Sequence, residues 1–350
     1  MGRRLSLLVA VIAVAAAVTS VRGHRRTPPR EPIARTVAPA SLRESGLYAD
    51  WASKTVAAAN RPFSPQYPLW TDGARKQRWI YLPPGAVIDA TNADAWQFPV
   101  GTKLWKEFSF GRRTETRYME RAAHGWIYAT YVWNADESDA TLAPPRGTLA
   151  ATEVAAGVRH AIPSDADCRA CHANSASPVL GFSALQLSAD RDPQAPHAER
   201  PEPGALALPE LIASGIVRGI PAWAAAPRIG ARTPEERAAL GYLHGNCGGC
   251  HRADGPLASL GMVLAQSVGQ PSAVLATTSA RASQFTTATA HVRIVPGAPA
   301  QSVLVARIGS RVPATQMPPL GSQLVDDVAV ELVTRWIAQL APTPSEGAIR

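Results

Sequence analysis

The sequence predicts an α+β protein, in which an antiparallel β-rich part comes first and an all-α part follows. Two observations lead to this fold class. Residues 60–150 are rich in aromatic and β-branched residues separated by Gly, Pro and Asn turns, a composition typical of strands. Residues 233–341 begin with a segment that carries the start signals of a helix and end with one whose apolar residues recur at helical spacing. A chain of 350 residues is long enough for two or three domains.

Four segments are the strand candidates of the β-rich part. They are RKQRWIYLPPGAVI, TKLWKEFSF, TETRYMER and GWIYATYVWN. Along Trp126–Trp133, aromatic and apolar side chains fall on both faces of an alternating strand. We therefore expect a sheet that is partly buried on both faces, either in a sandwich or under helices.

The all-α part is predicted from two helices. In the first, TPEERAALGYLHGN, Thr233 is the N-cap, Pro234 takes the first helical position and two glutamates follow in the first turn. In the second, DDVAVELVTRWIAQLAP, two aspartates begin the helix and Pro342 ends it. Its apolar face consists of Val325, Ala329, Leu332, Val333, Trp336, Ile337 and Leu340.

The N-terminus has the form of a secretory signal peptide over residues 1–23. Arg3 and Arg4 precede an apolar run from Leu5 to Val18, and small residues follow it. The run is short for a membrane span, so we expect cleavage and export to the periplasm; an uncleaved signal would anchor the chain. The Pro/Arg-rich residues 24–59 are expected to form a flexible leader. No later segment has the length and apolarity of a transmembrane span.

The basic charge of the chain does not indicate nucleic-acid binding. Its formal charge of +8 falls to +5 once Arg3, Arg4 and Arg22 leave with the signal. Four more arginines lie between residues 24 and 40. The remaining basic residues are spread along the chain without the stripe that would track a phosphate backbone.

All four cysteines fall in two short motifs that each end in histidine. The motifs are CRACH at 168–172 and CGGCH at 247–251. Their spacing matches covalent haem attachment, because two thiols separated by two residues reach the two vinyl groups on one porphyrin edge. The following imidazole can then bind the iron as an axial ligand. We therefore predict two covalent c-type haems, held by Cys168, Cys171, Cys247 and Cys250, with His172 and His251 on the irons.

Three alternatives to haem attachment are weaker. A zinc site built from both cysteine pairs does not need a histidine after each pair. A redox disulfide is expected in a βα context, without a histidine at that place. Chance recurrence is disfavoured, because the two motifs contain every cysteine of the chain.

A methionine in the C-terminal part is the predicted sixth ligand of the second haem. Met317 stands in the loop ATQMPPLG, between the second motif and the last helix. A thioether is a soft, neutral ligand that favours ferrous iron and raises the reduction potential. Met262, eleven residues after His251, is the rival ligand and is better explained as a packing residue.

The order of helix, Cys-x-x-Cys-His motif, methionine loop and terminal helix resembles the class I cytochrome c fold over residues 233–341. The segment VPGAPAQSVLVARI also resembles an element of bacterial members. The resemblance implies that the two helices cross, with Gly241 or Tyr242 facing Trp336. A Thr/Ala/Ser-rich insert near 272–291 departs from the family pattern and is expected to form a surface loop.

The β-rich part resembles, in arrangement and a few short segments, the c-prime-beta cytochromes and their lysine-crosslinked relatives. In those proteins a mostly antiparallel sheet carries a c-haem near its C-terminal end. The resemblance implies that the β domain bears or abuts the first haem. A strand lysine bonds the haem in the crosslinked relatives; Lys103 and Lys106 match it by position only, and a solvated lysine is the better interpretation.

From about Pro62 to Leu340, the chain resembles exported bacterial dihaem c-type cytochromes of uncharacterised role. The predicted organisation places the β-rich domain, the first haem segment and the cytochrome c-like domain with the second haem between a leader and a tail. Its boundaries are 1–23 for the signal peptide, 24–59 for the leader, 60–160, 161–232 and 233–341 for these three parts, and 342–350 for the tail.

The sixth ligand of the first haem stays open at this level. No methionine lies between His172 and Cys247. His244 is one option, since its helix could point toward the junction between the domains; otherwise it is a partly buried histidine bonded to backbone or to a haem propionate. The other options are Met119, His124, His160 and His197, or no residue at all.

Two functions fit this pattern. The first is a carrier that passes single electrons between periplasmic or membrane redox proteins, with the second haem at the higher potential. The second is an oxidoreductase with peroxidase-like or small-nitrogen-compound chemistry at an open position of the first haem, where His124 or Glu120 would be the distal acid or base. We favour the carrier, because closed ligation suits electron transfer, and we predict no catalytic residue.

Overall fold

The computed structural model describes residues 37–175, 177–223 and 225–341. The predicted signal peptide, residues 24–36 of the leader and the tail at 342–350 lie outside these residues. The strands are β1 (Tyr48–Asp50), β2 (Thr55–Val56), β3 (Arg61–Pro62), β4 (Arg75–Tyr81), β5 (Ile88–Asp89), β6 (Lys103–Phe110), β7 (Arg112–Ala122), β8 (Gly125–Trp133), β9 (Ala140–Leu142), β10 (Thr148–Ala155), β11 (Val158–Ile162) and β12 (Val217–Arg218). The helices are α1 (Asp165–His172), α2 (Leu208–Ala213), α3 (Pro234–Asn246), α4 (Val274–Thr278), α5 (Val303–Ile308) and α6 (Asp327–Ala338). Within the described ranges, no helix combines the length and apolarity needed to cross a membrane.

A six-stranded antiparallel sheet dominates the first half of the chain. Its strand order is β3-β4-β6-β7-β8-β9. The four long inner strands arise from the aromatic and β-branched segments of the sequence, which suit a pleated, half-buried surface. Trp79 lies opposite Trp105, which lies opposite Tyr118, so large rings meet across neighbouring strands.

Both faces of this sheet are covered, mainly by irregular chain and short elements. On one face, Trp79, Trp105 and Tyr118 pack against the buried Leu42 and Leu47. Residues 42–47 thus belong to the packed structure, although the sequence places them in the leader. On the opposite face, a second cluster joins strand residues to later chain segments; it includes Ile80, Leu104, Met119, Phe182, Leu187 and Leu211. This second face also carries the residues that approach α1.

The predicted all-α class I cytochrome c fold of residues 233–341 is wrong. Only α3 and α6 are substantial helices there, and α4 and α5 have five and six residues. Between them the chain makes isolated bridges, such as Val292 with both Ala282 and Ser302. The physical reason is local, because residues 252–302 are rich in Gly, Pro, Ser and Thr and lack an apolar repeat at helical spacing. The described chain is therefore β-rich, with four sheets and mostly short helices.

Helices α3 and α6 share one apolar cluster with residues from the loops around them. Tyr242, Trp336, Leu243 and Val333 are buried together in this C-terminal cluster. A Cβ at Gly241 would overlap the ring of Tyr67, and of the two residues expected opposite Trp336, Tyr242 shares its cluster. Helix α3 thus lies close to the segment around Tyr67, which precedes β4 of the sheet. Asn246 reinforces it, since its Oδ1 accepts the N–H of Trp70 at 2.7 Å.

Candidate functional site

The first Cys-x-x-Cys-His motif forms the last turn of α1. Ser164 caps this helix: its Oγ accepts the N–H of Asp167 at 3.1 Å, and its own N–H donates to Oδ2 of Asp167 at 2.9 Å. This capping box begins the helix beside the end of β11. Cys168, Cys171 and His172 then follow at helical positions and are partly buried. The local sequence therefore places both thiols and the imidazole on one short, well-capped helix.

The ring of His172 is held in one tautomer. Its Nδ1 lies 2.6 Å from the carbonyl oxygen of Pro178, and a carbonyl only accepts, so Nδ1 carries the proton. The Nε2 lone pair is therefore left for a metal, and the bond at Nδ1 both orients the ring and increases its basicity as a ligand. Burial lowers the pKa of His172 to about 4, which keeps the ring neutral, and the ring of Tyr128 lies 5.5 Å away.

The second motif follows the C-terminal end of α3. The N–H of Cys247 donates to the carbonyl of Leu243 at 2.9 Å, and the N–H of His251 donates to the carbonyl of Cys247 at 2.9 Å. Tight turns thus continue the helix through the motif. His251 is buried, and its Nδ1 has no hydrogen-bond partner among the described residues. A buried imidazole nitrogen without a partner is costly unless a further group occupies the site.

All four cysteines are free thiols and partly buried. Burial raises the pKa of Cys168 to about 11 and that of Cys247 to about 12. The described ranges contain no group of three or more His, Cys, Asp or Glu side chains arranged to hold a metal ion. Neutral thiols in two separate pairs, each with an adjacent neutral imidazole, are the donor set that a c-type haem requires. The residues present therefore fit two covalent haems.

The structure brings the two motifs together, although 78 residues separate the contacting partners along the chain. Arg252, directly after His251, donates from Nη2 to the carbonyl oxygen of Asn174 at 2.7 Å. The thiols are also close enough to interact: burial is the main cause that raises the pKa of Cys171, and the field of Cys250 is the next. The two predicted haem sites thus share one junction.

Met317 lies at the edge of the C-terminal cluster that the second motif also borders. Its side chain is partly buried and packs on this cluster, as do those of Cys247 and Met262. The N–H of Met317 donates to the carbonyl of Arg307 at 3.0 Å, which fixes the start of the loop. Both candidate thioethers therefore pack on the same cluster as Cys247 of the second motif.

His244 is held by a backbone group. Its Nδ1 accepts the N–H of Gln266 at 3.0 Å. Because Nδ1 accepts, the proton of the neutral ring sits on Nε2, which leaves no lone pair there for iron. Burial lowers the pKa of His244 to about 4, so the ring is neutral near pH 7. This geometry matches the backbone-bonded alternative more closely than axial ligation.

Two other histidines proposed for the first haem are engaged with carboxylates. His160, on β11, is buried and its Nε2 lies 2.9 Å from Oε1 of Glu115. His197 lies 2.8 Å from Oδ1 of Asp326, and its ring packs on that of Trp70 at 4.7 Å. Both imidazoles therefore serve buried or half-buried contacts between chain segments.

The remaining candidates lie on or next to β7. Met119 is buried in the cluster beneath the sheet, and His124 is exposed in the turn between β7 and β8. Glu120 accepts a hydrogen bond from the hydroxyl of Tyr118, on the face of β7 opposite to Arg117. Because Arg117 is the β7 residue whose charge reaches His172, Glu120 is not on the side of the first motif.

The structure adds basic residues that the sequence interpretation missed. Lys106 and Arg117, on neighbouring strands, both exert their charge on His172 and Cys171. The alternation of side chains along TKLWKEFSF and TETRYMER could have indicated this. It assigns Lys106 and Arg117 each to one face of its strand, and pairing of the two strands brings them to the same face. In the sequence alone, Lys106 stands out only by its position in a strand, and Arg117 does not stand out at all.

Comparison of the chain with family models, curated proteins and solved structures finds no match. The arguments about its function therefore depend on the motifs and on the geometry around them.

Proposed function

We propose that this protein is a periplasmic dihaem c-type cytochrome that transfers single electrons between redox partners. The observation that carries the proposal is the junction of the two Cys-x-x-Cys-His motifs, where Arg252 bonds to the carbonyl of Asn174. Electron transfer slows steeply with distance, so two haems are useful in one chain when their attachment sites adjoin. Export, and partners among periplasmic or membrane redox proteins, belong to the same proposal, because c-type haem attachment occurs outside the cytoplasm.

Each residue of the two motifs has a definite role in this proposal. Cys168 and Cys171 would hold the first haem through thioether bonds, and Nε2 of His172 would bind its iron. Cys247 and Cys250 would hold the second haem, and His251 would bind its iron. The bound haems supply reversible one-electron chemistry. The carbonyl of Pro178 would orient the His172 imidazole as an iron ligand and increase its basicity.

Met317 is the proposed sixth ligand of the second haem, because it packs on the same apolar cluster as Cys247. A methionine thioether ligand would stabilise the reduced iron and make this the higher-potential haem. The surrounding apolar side chains also favour the state of lower charge, since burial disfavours net charge on the haem.

A second candidate function is an oxidoreductase that works on peroxide or small nitrogen compounds at an open position of the first haem. The observation that favours it concerns the sixth ligand. His160 and His197 are engaged with carboxylates, His244 accepts a backbone N–H, and His124 is exposed in a turn. His160, His197 and His244 thus each have one ring nitrogen engaged by the fold, which favours a first iron without a histidine of this chain as its sixth ligand.

One set of spectra separates these functions. The full chain is produced in a host with the cytochrome c maturation system, and its haem content is counted by the pyridine haemochrome assay. Spectra of the ferric and dithionite-reduced protein are then recorded before and after carbon monoxide. Two low-spin haems without a carbon monoxide shift support the carrier and contradict the enzyme. A high-spin haem that binds carbon monoxide supports the enzyme, and a chain without covalent haem contradicts both.

Paired variants assign each haem to its motif. The double variant Cys168→Ala/Cys171→Ala is expected to retain one haem with the spectrum of the second site. The variant Cys247→Ala/Cys250→Ala is expected to retain one haem with the spectrum of the first site. Loss of both haems in either variant, with unchanged export and solubility, would contradict independent attachment.

A further inference from the structure

A row of basic side chains crosses the sheet next to the first motif. Arg78 on β4 lies directly opposite Lys106 on β6, and Lys106 lies directly opposite Arg117 on β7. Residues in register on antiparallel neighbours project from the same face. Three cations are therefore side by side where like charges repel, and the fold must compensate for that repulsion.

The two outer members of the row have carboxylate partners. Arg78 pairs with Glu199 at 2.7 Å, and Arg117 pairs with Glu115 at 2.6 Å. For Lys106, the described residues provide no carboxylate within ion-pair distance and no hydrogen-bond acceptor. The central cation of the row is thus the one without an ion pair of its own, and Glu199, which pairs with Arg78, acts on it only through its field.

The side chains of Lys106 and Arg117 converge on one aromatic ring. The Nζ of Lys106 lies 4.7 Å and the Cζ of Arg117 lies 4.4 Å from the ring centroid of Phe108, which is fully buried. Cation–π contacts at such distances offset part of the cost of burying a charge. They also fix both groups at the same place on the sheet.

This place adjoins the first haem motif. Arg117 lies directly opposite Thr130 on β8, two residues from Tyr128, whose ring centroid is 5.5 Å from that of His172. The charges of Lys106 and Arg117 accordingly lower the pKa values of His172 and Cys171, against or beside the effect of burial. Burial, and then the charges of Arg78, Lys76 and Arg117, lower the pKa of Lys106 well below its usual range. An anion beside the amine would reverse this effect, since an opposite charge favours the protonated form. Because the described residues give Lys106 no ion pair and no hydrogen-bond acceptor, its amine is free to bind a negatively charged group.

We propose that Lys106, between Arg78 and Arg117, binds an anionic oxygen group beside the first haem motif. The inference rests on the proposed function, because the haem at Cys168 and Cys171 defines what the site adjoins. The chemistry required is a carboxylate or oxyanion that accepts hydrogen bonds from an ammonium flanked by guanidinium groups. Two sources have this chemistry: a carboxylate of the bound haem, and a small free oxyanion for which nitrite is the probe.

The test compares two lysines of one strand. Lys106→Met removes the amine but keeps most of the stem, and Lys103→Met makes the same change on the opposite face of β6. Haem content is measured first for each holoprotein. Nitrite binding is then measured by isothermal titration calorimetry and by the absorbance of the first haem, and the reduction potential of that haem is measured without nitrite.

For a free oxyanion, we expect saturable nitrite binding that Lys106→Met weakens roughly ten-fold or more and Lys103→Met leaves unchanged. For a haem carboxylate, we expect no nitrite binding and a first-haem potential that falls in Lys106→Met only, because a positive charge is lost. If both variants match the wild type in binding and potential, the anion site is wrong. Absence of haem from all three proteins would instead contradict the proposed function, and calorimetry would still report on the anion site.

Discussion

Arg252 donates a hydrogen bond from Nη2 to the carbonyl oxygen of Asn174 at 2.7 Å, and this bond joins the chain segments that follow the two haem motifs. The side chain of Arg252 is 13% exposed, and its Nη1 pairs with the much more exposed Asp254 at 2.9 Å. A charged donor on a neutral carbonyl in a partly desolvated site is stronger than an ordinary surface contact. We infer that this bond holds the distance between the two predicted haems.

Replacement of Arg252 by methionine should loosen this junction. We expect the free energy of unfolding to fall by about 1.5–3 kcal/mol, the usual range for a hydrogen bond to a charged group, and electron exchange between the proposed haems to slow. Denaturant titration and flash-induced reduction kinetics measure these effects. Asp254→Asn is the control, since it removes only the exposed ion pair, which contributes about 0–1 kcal/mol. Equal losses in the two variants would assign the effect to the ion pair.

The two glycines between Cys247 and Cys250 should differ in their tolerance of alanine. A Cβ on Gly248 would lie 2.6 Å from the carbonyl oxygen of His244 and 2.9 Å from Cα of Ala265, whereas a Cβ on Gly249 would meet nothing within 4 Å. We therefore expect Gly248→Ala to cost about 1–3 kcal/mol of stability and to reduce haem attachment. Gly249→Ala should match the wild type in denaturant unfolding and haem content. Similar behaviour of both variants would contradict the close approach at Gly248.

Helix α3 could be predicted because its signals are local. The N-cap Thr233 accepts the N–H of Glu236 at 3.1 Å, Pro234 begins the helix and Asn246 ends it, as the sequence indicates. The last helix is likewise capped by Asp326, which accepts the N–H of Ala329 at 3.2 Å. Capping residues and apolar spacing act within one or two turns, so a single sequence is sufficient to identify them.

The chain between these helices could not be predicted in the same way. Two correctly located helices and a methionine loop suggested an all-α arrangement, but residues 252–302 form bridges and turns instead. The contact of Gly241 with Tyr67 and the bond of Arg252 to Asn174 join segments that are far apart in sequence. Such pairings depend on the packing of the whole chain, and periodicity and capping carry no information about them.

His160 should make stability depend on pH. Burial lowers the pKa of His160, but its contacts with Asp72 and Glu115 outweigh burial and leave the pKa above its usual value of about 6.5. A histidine with a raised folded-state pKa stabilises the fold fully below its unfolded pKa, and this contribution is lost as pH rises through the folded-state pKa. We expect the difference in unfolding free energy between wild type and His160→Gln to be largest at acidic pH and to shrink as pH rises.

Denaturant unfolding at several pH values between about 5 and 9 tests this dependence, because the range spans the usual pKa of histidine. His124→Gln, which removes an exposed imidazole from the turn between β7 and β8, is the matched control. A difference for His160→Gln that is constant across the range, or grows with pH, would contradict protonation of His160 in the folded protein.

We expect His244 to stabilise the fold through its hydrogen bond to the backbone and not to bind iron. Asparagine can place an oxygen near the position of Nδ1, whereas glutamine places its polar atoms near Nε2. We therefore expect His244→Asn to retain stability, and His244→Gln to lose about 1–3 kcal/mol because the buried N–H of Gln266 loses its acceptor. Both variants should keep the absorbance spectrum of the wild-type haems. A change of spin state in both would instead identify His244 as an axial ligand.

Variants of Met317 and Met262 should distinguish iron ligation from packing, because both thioethers lie on the C-terminal cluster with Cys247. Leucine has a similar volume, so either replacement should cost less than about 1.5 kcal/mol of stability. If Met317 binds the second iron, Met317→Leu should lower the potential of that haem by on the order of 0.1 V, a modest part of the range that axial ligands control. It should also introduce a high-spin signal in electron paramagnetic resonance. Met262→Leu should leave the potential and spin state unchanged, and the reverse result for the two variants would transfer the ligand role to Met262.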